Sequence, residues 1–134
     1  MLGIRSYKKI FAVFVTVFIF SFYLLAQTAV MPSVIRAFEK GNSDLLSQNL
    51  NTQVEMVLPN HEDIYSKSQA SILLRQFFDN NKVVSFKIVH QGGRDHTKYA
   101  IGKLETEKSN YRVYFMLKSS AGKYKVHLLK IEEE

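Results

Sequence analysis

Three alternating stretches near the end of the chain, Tyr99–Thr106, Tyr111–Lys118 and Tyr124–Ile131, limit the fold more than any other feature. Each interleaves apolar and polar residues with the period of two that a strand requires. Only Lys108-Ser109-Asn110 and Ser119-Ser120-Ala121-Gly122 separate them as turns. Parallel neighbours need crossovers of a dozen or more residues, so connections this short dictate an antiparallel meander. Val83–Gln91 is expected to join it through a turn at Gly92-Gly93-Arg94-Asp95, with Val84, Phe86, Ile88 and His90 on one face.

The preceding sequence reads as helices around a single strand. Over Met31–Lys40 the apolar residues Val30, Val34, Ile35 and Phe38 fall at helical spacing, with Pro32 suited to the first turn and Gly41 to the C-terminal cap. Asn42 or Ser43 caps a second, short helix with Leu45, Leu46 and Leu50 on its buried side. Gln53–Leu58 alternates as a strand, with Val54, Met56 and Leu58 inward, Glu55 outward and Pro59-Asn60 as its stop. Ser66 and Gln69 form a capping-box pair, and Ala70, Leu73, Leu74, Phe77 and Phe78 follow as one helical stripe ending at Asp79-Asn80-Asn81. Helices in front and strands behind make the class α+β.

Ahead of all this stands a basic segment carrying Arg5, Lys8 and Lys9. An apolar run from Ile10 to Leu25 follows, then the small and polar group Ala26-Gln27-Thr28-Ala29. That layout is a secretory signal, with cleavage expected between Ala26 and Gln27. The alternative is an uncleaved anchor lengthened by Val30 and Met31, with the basic side in the cytoplasm. Both readings put the folded part, residues 27–134, outside the cytoplasm as one domain, periplasmic or extracellular. With residues 1–26 removed, 15 bases face 12 acids and the net charge falls from +6 to +3. No nucleic-acid partner is therefore expected. The chain has no cysteine, which excludes a disulfide scaffold and a thiol nucleophile.

The order helix, helix, strand, helix, then long antiparallel strands resembles the nuclear-transport-factor-2-like (cystatin-like, SnoaL-like) superfamily. The chain is similar in particular to a family of small secreted bacterial proteins of unknown function within it. The stretches that carry the likeness are AFEKGNSDLLSQNL (37–50), IYSKSQASILLRQFF (64–78), FKIVHQGG (86–93), YAIGKLET (99–106), YRVYFMLK (111–118) and YKVHLLKIEEE (124–134). The resemblance implies a curved antiparallel sheet wrapped around the helices as a cone, and dimerisation through the sheet. The superfamily includes isomerases, dehydratases and binding modules, so the fold by itself does not assign an activity.

The expected cavity-lining residues are Phe77, Phe86, His90, Phe115 and His127. Three are aromatic, and the two imidazoles are the plausible interior titrating groups. His90, Asp95 and His96 do not follow a recognised metal-ligand spacing, so no metal is expected, and no cofactor-binding motif is present. The acids, including Asp44, Glu62, Asp63, Asp79, Asp95, Glu105 and Glu107, fall at helix ends, turns or strand edges, and no catalytic residue stands out. His127 lies in a stretch with no cleanly polar face, which implies either a bulge near Leu128 or coverage of both sides. Tyr114 and Met116, between Arg112 and Lys118, make an apolar stripe on the outer face that suits a dimer interface.

The leading expectation is thus a non-catalytic module that holds a small apolar ligand or a partner protein. A cofactor-free isomerase or dehydratase using His90 or His127 is the alternative, and a structural subunit of an envelope assembly is a third.

Overall fold

Helix caps and turn residues in the sequence account for most of the element boundaries. The computed structural model describes residues 3–27 and 30–134, with side chains described for residues 3–19 and 30–134. The elements are α1 (Ile4–Gln27), α2 (Val30–Lys40), α3 (Ser43–Gln48), β1 (Leu50–Leu58), β2 (His61–Ser66), α4 (Lys67–Asn80), β3 (Val83–Arg94), β4 (Thr97–Thr106), β5 (Asn110–Ser120) and β6 (Lys123–Glu133). Gly41, at φ +59°, ends α2. Its N–H donates to the Phe38 carbonyl and the Asn42 N–H to that of Ala37, the paired bonds of a Schellman cap. The Asn42 side chain then caps α3, and the full capping box of Ser66 and Gln69 opens α4.

The six strands form one curved, unclosed sheet in the order β2-β1-β6-β5-β4-β3. From β3 to β6 it is the expected antiparallel meander. β1 pairs parallel to β6, which is possible because α4 and the whole meander intervene between them. β2 was not apparent from HEDIYS, which has no apolar alternation. It pairs antiparallel with β1 and is mostly exposed.

The helices cover the concave face. Val34, Ala37 and Phe38 of α2 and Ala70, Leu74, Phe77 and Phe78 of α4 are buried with Val54, Met56, Leu104, Val113, Phe115, Leu129 and Ile131 of the sheet. Leu73 packs against this core. Leu50 is buried as expected but begins β1 rather than ending α3. Among the described residues the core runs from Val34 to Ile131, and none of the described side chains of α1, residues 4–19, belongs to it. The side chains of Ile4, Tyr7, Phe11, Phe14 and Phe18 of α1 are exposed. Among the described residues no helix is long and apolar enough to cross a membrane. The expected cleavage point and the small-residue group at 26–29 lie outside the residues whose side chains are described.

Three bulges correct the face assignments on the sheet. The β3–β4 register slips between Val83 and Ser85 and again between Ile88 and His90. Val83, Phe86 and Ile88 therefore pack inward, whereas Val84 and Val89 are exposed. His90 pairs with Ile101 on the outer face, so it does not share the face of Phe86 as expected. β3 also runs through Gly92-Gly93 to Arg94, and the turn falls at Asp95-His96, with Asp95 at φ +55°. Gly93 pairs with Lys98 in the ladder, and a Cβ there would lie 2.6 Å from the Thr97 carbonyl oxygen, so the position requires glycine. The third bulge lies in β6, where Met116 pairs with Leu128 and Leu117 with Val126, leaving His127 as the extra residue. Val126 and Leu129 both point inward, so His127 and Leu128 both lie outward.

Candidate functional site: the outer face of the sheet

On the concave side the aromatic residues are occupied with one another. The fully buried Phe38 ring lies 4.9 Å from Phe86, 6.2 Å from Phe115 and 5.9 Å from Phe78, centroid to centroid. Phe86 also lies against Gly102, where a Cβ would come within 2.4 Å of its ring. Two of the expected lining residues, Phe86 and Phe115, thus meet across Phe38. Phe77 packs edge-on against Tyr111 at 5.2 Å. It faces a separate hollow of about 320 Å³ with Asn80, Asn81, His61 and Glu133.

The two histidines sit elsewhere. Both are on the outer face, each carried there by a bulge. His90 is exposed, and its Nε2 lies 2.9 Å from the Tyr99 hydroxyl. His127 is half-buried, and burial holds its pKa below the usual 6.5, with the Lys118 ammonium acting in the same direction. The structure therefore divides the five expected residues among core, rim and outer face. Among the described residues no group of three or more His, Cys, Asp or Glu side chains could hold a metal ion.

What the outer face does assemble is an apolar band. The cross-strand pairs join Leu128, Met116 and Tyr99 in one row, and Lys130, Tyr114, Ile101 and His90 in the next, with the lysine at its β6 end. Leu128, Met116, Tyr99, Tyr114 and Ile101 are each half-buried, and the Tyr99 and Tyr114 rings stack at 6.1 Å. Charge borders the band on both sides: Arg112 and Lys103 form the row beyond Tyr114 and Ile101, and Lys118 stands beyond Met116. Tyr114 and Met116 were legible from alternation in β5. Tyr99 and Ile101 alternate with Ala100, Gly102 and Leu104 in the same way, and the same signal marks them as outward. Leu128 was hidden by the bulge. An apolar centre with a charged rim is the make-up of an association surface.

The family model of a domain of unknown function (DUF4783) matches residues 31–132. A crystal structure of a DUF4783 family protein from Bacteroides uniformis is 35% identical, covers 77% of this chain and 95% of that one, and superposes with a TM-score of 0.74. One from Bacteroides ovatus is 34% identical, covers 76% of this chain and 93% of that one, and has a TM-score of 0.73. At 10% identity, an NTF-2-like protein of unknown function from Silicibacter pomeroyi covers 85% of this chain and 98% of that one, with a TM-score of 0.60. The fold is nuclear-transport-factor-2-like. No curated protein matches the chain.

Proposed function

From a chain that belongs to the DUF4783 family, a domain of unknown function, we propose a non-catalytic interaction module that pairs with a second copy of itself through the outer face of its sheet. The observation that carries this reading is the band of Tyr99, Ile101, Tyr114, Met116 and Leu128, apolar side chains on the face opposite the one that α2 and α4 cover. A self-complementary face is what a two-fold dimer needs. The concave side offers less, because Phe38 fills the space between Phe86 and Phe115. The histidines do not favour catalysis either. His90 is exposed beside Tyr99, and His127 stands near Lys118 with no carboxylate among the described residues to orient it.

The module works outside the cytoplasm in this reading, after cleavage near Ala26 or on a retained N-terminal segment. Two features support that. The described apolar side chains of α1, from Ile4 to Ile19, are exposed and outside the core, and the family match begins only at Met31.

Light scattering on the chromatographed protein tests the pairing. The expected result is a dimer that Tyr114→Glu or Met116→Lys converts to a folded monomer. A wild-type monomer at high concentration would remove the proposal. N-terminal sequencing of the protein from its own cells tests export, with a new terminus at Gln27 expected. Recovery of the intact chain from the cytoplasm would count against it.

A further inference from the structure

The charges of this domain are separated along its strands. The β3–β4 turn and the β5–β6 turn lie side by side at one end, joined by the Ser119 N–H donating to the His96 carbonyl at 2.8 Å. Around these two tips stand Arg94, Lys98, Lys118, Lys123 and Lys125, with Asp95 as the acid between them. At the other end Glu105, Glu107, Glu132, Glu133 and Glu134 gather where β4, β5 and β6 begin or finish, with Lys82, Lys108 and Arg112 among them. β5 has 11 residues, which at about 3.4 Å each spans roughly 37 Å. The Debye length at physiological salt is about 8 Å, so a surface approaching one end does not feel the other. A modest net charge thus conceals a strongly basic tip.

The chain enters the fold at that same tip. Met31, in the first turn of α2, lines a hollow of about 500 Å³ with Gly92, Gly93, Arg94, Thr97 and Lys98 of the β3–β4 hairpin. Just before it in sequence comes α1, whose side chains from Ile4 to Ile19 are largely apolar and exposed. Where that segment is retained, a phospholipid leaflet that accepts its apolar side chains is joined to the basic tip by a short stretch of chain. Lys98, which lines this hollow, also holds its Nζ 4.6 Å from the Tyr124 ring centroid.

We propose that the tips of the β3–β4 and β5–β6 hairpins dock the domain on an anionic phospholipid surface. Basic side chains near such a leaflet each contribute on the order of fivefold in partitioning, and the attraction weakens with salt. Nucleic acid would also be drawn by charge. Tyr124, between Lys123 and Lys125, is half-buried against the core, and where the N-terminal segment is retained the entry of an apolar helix at this end favours lipid. The inference does not depend on pairing through the sheet face.

Vesicle co-sedimentation of residues 30–134 tests it without interference from α1. This part carries every core residue described, and the solved Bacteroides relatives consist almost entirely of the matching region. Binding is expected to vesicles of phosphatidylcholine mixed with phosphatidylglycerol, not to phosphatidylcholine alone, and to be lost as salt rises to about 0.5 M. The double variant Arg94→Glu/Lys123→Glu is expected to bind at least about 25-fold more weakly. Lys82→Glu/Lys108→Glu changes the net charge equally at the acidic end and is expected to bind as wild type. Equal loss in both variants, equal binding to neutral vesicles, or tighter binding to duplex DNA than to the anionic vesicles would overturn the proposal. The salt series on the unaltered domain reports independently of how either variant folds.

Discussion

The ring of Phe38 packs against that of Phe86 with 4.9 Å between centroids, and α2 is thereby joined to β3 and β4 at the centre of the cone. A side chain in this position decides whether the concave side is a pocket or a core. Fully buried, Phe38 makes it a core. Replacing it with alanine removes the ring contacts to Phe78, Phe86 and Phe115 together. The expected loss in Phe38→Ala is about 3–5 kcal/mol by denaturant unfolding, and the space vacated should admit benzene with a rise in melting temperature. A loss below about 1 kcal/mol would mean that the centre is not packed as described.

Gly102 offers the complementary test. The Phe86 ring lies so close that a Cβ on residue 102 would come within 2.4 Å of it, and the Lys87 carbonyl oxygen within 3.1 Å. Gly102→Ala should cost about 1–3 kcal/mol, because the ring cannot retreat into Phe38. Double substitution with Phe86→Leu should recover part of that loss, measured by the same unfolding curves.

Acid should weaken the domain through His127. Its folded-state pKa lies below 6.5 because of burial and then Lys118, while the unfolded chain titrates near the ordinary value. A group with a depressed folded pKa contributes stability above the unfolded pKa that is lost as pH falls through the folded one. Stability should therefore decline as pH drops below 6.5, and His127→Gln should flatten that limb. Titration of the imidazole by NMR would contradict the account if its pKa lay above 6.5.

Alkali should act through Tyr111, whose hydroxyl donates to Asn81 Oδ1 at 2.9 Å while Asn81 Nδ2 holds the Phe77 carbonyl at the end of α4. Burial raises the phenol above 10, and the nearby Glu133 carboxylate adds to this, against a smaller opposing effect of Ser109. The unfolded chain then loses its proton first, so stability is full below pH 10 and falls as pH rises through the folded pKa. Tyr111→Phe should remove this alkaline dependence at a cost of about 0.5–1.5 kcal/mol at neutral pH.

Much of this was readable from residues. The capping box at Ser66 and Gln69, the stripe of Ala70, Leu74, Phe77 and Phe78, and the Gly41 cap are local signals that tertiary structure left intact. The alternation of Tyr111, Val113, Phe115 and Leu117 correctly gave the inner face of β5. Bulges were the obstacle. At Val84 and Val89 the inserted residue is β-branched and leaves no compositional mark, so strict alternation put Val84 and His90 on the wrong face. At His127 the spacing of Val126 and Leu129 did betray the irregularity, because two inward residues three apart cannot fit a period of two. β2 gave no warning, since a polar edge strand is defined by its pairing with β1 rather than by its own pattern.

Methyl resonances followed through dilution test the association surface most directly. With the methionines and leucines labelled, the Met116 and Leu128 signals are expected to shift together as the protein is diluted, while that of the buried Met56 stays fixed. Constant Met116 and Leu128 shifts across the dilution, with the molecular mass of a monomer throughout, would contradict the account.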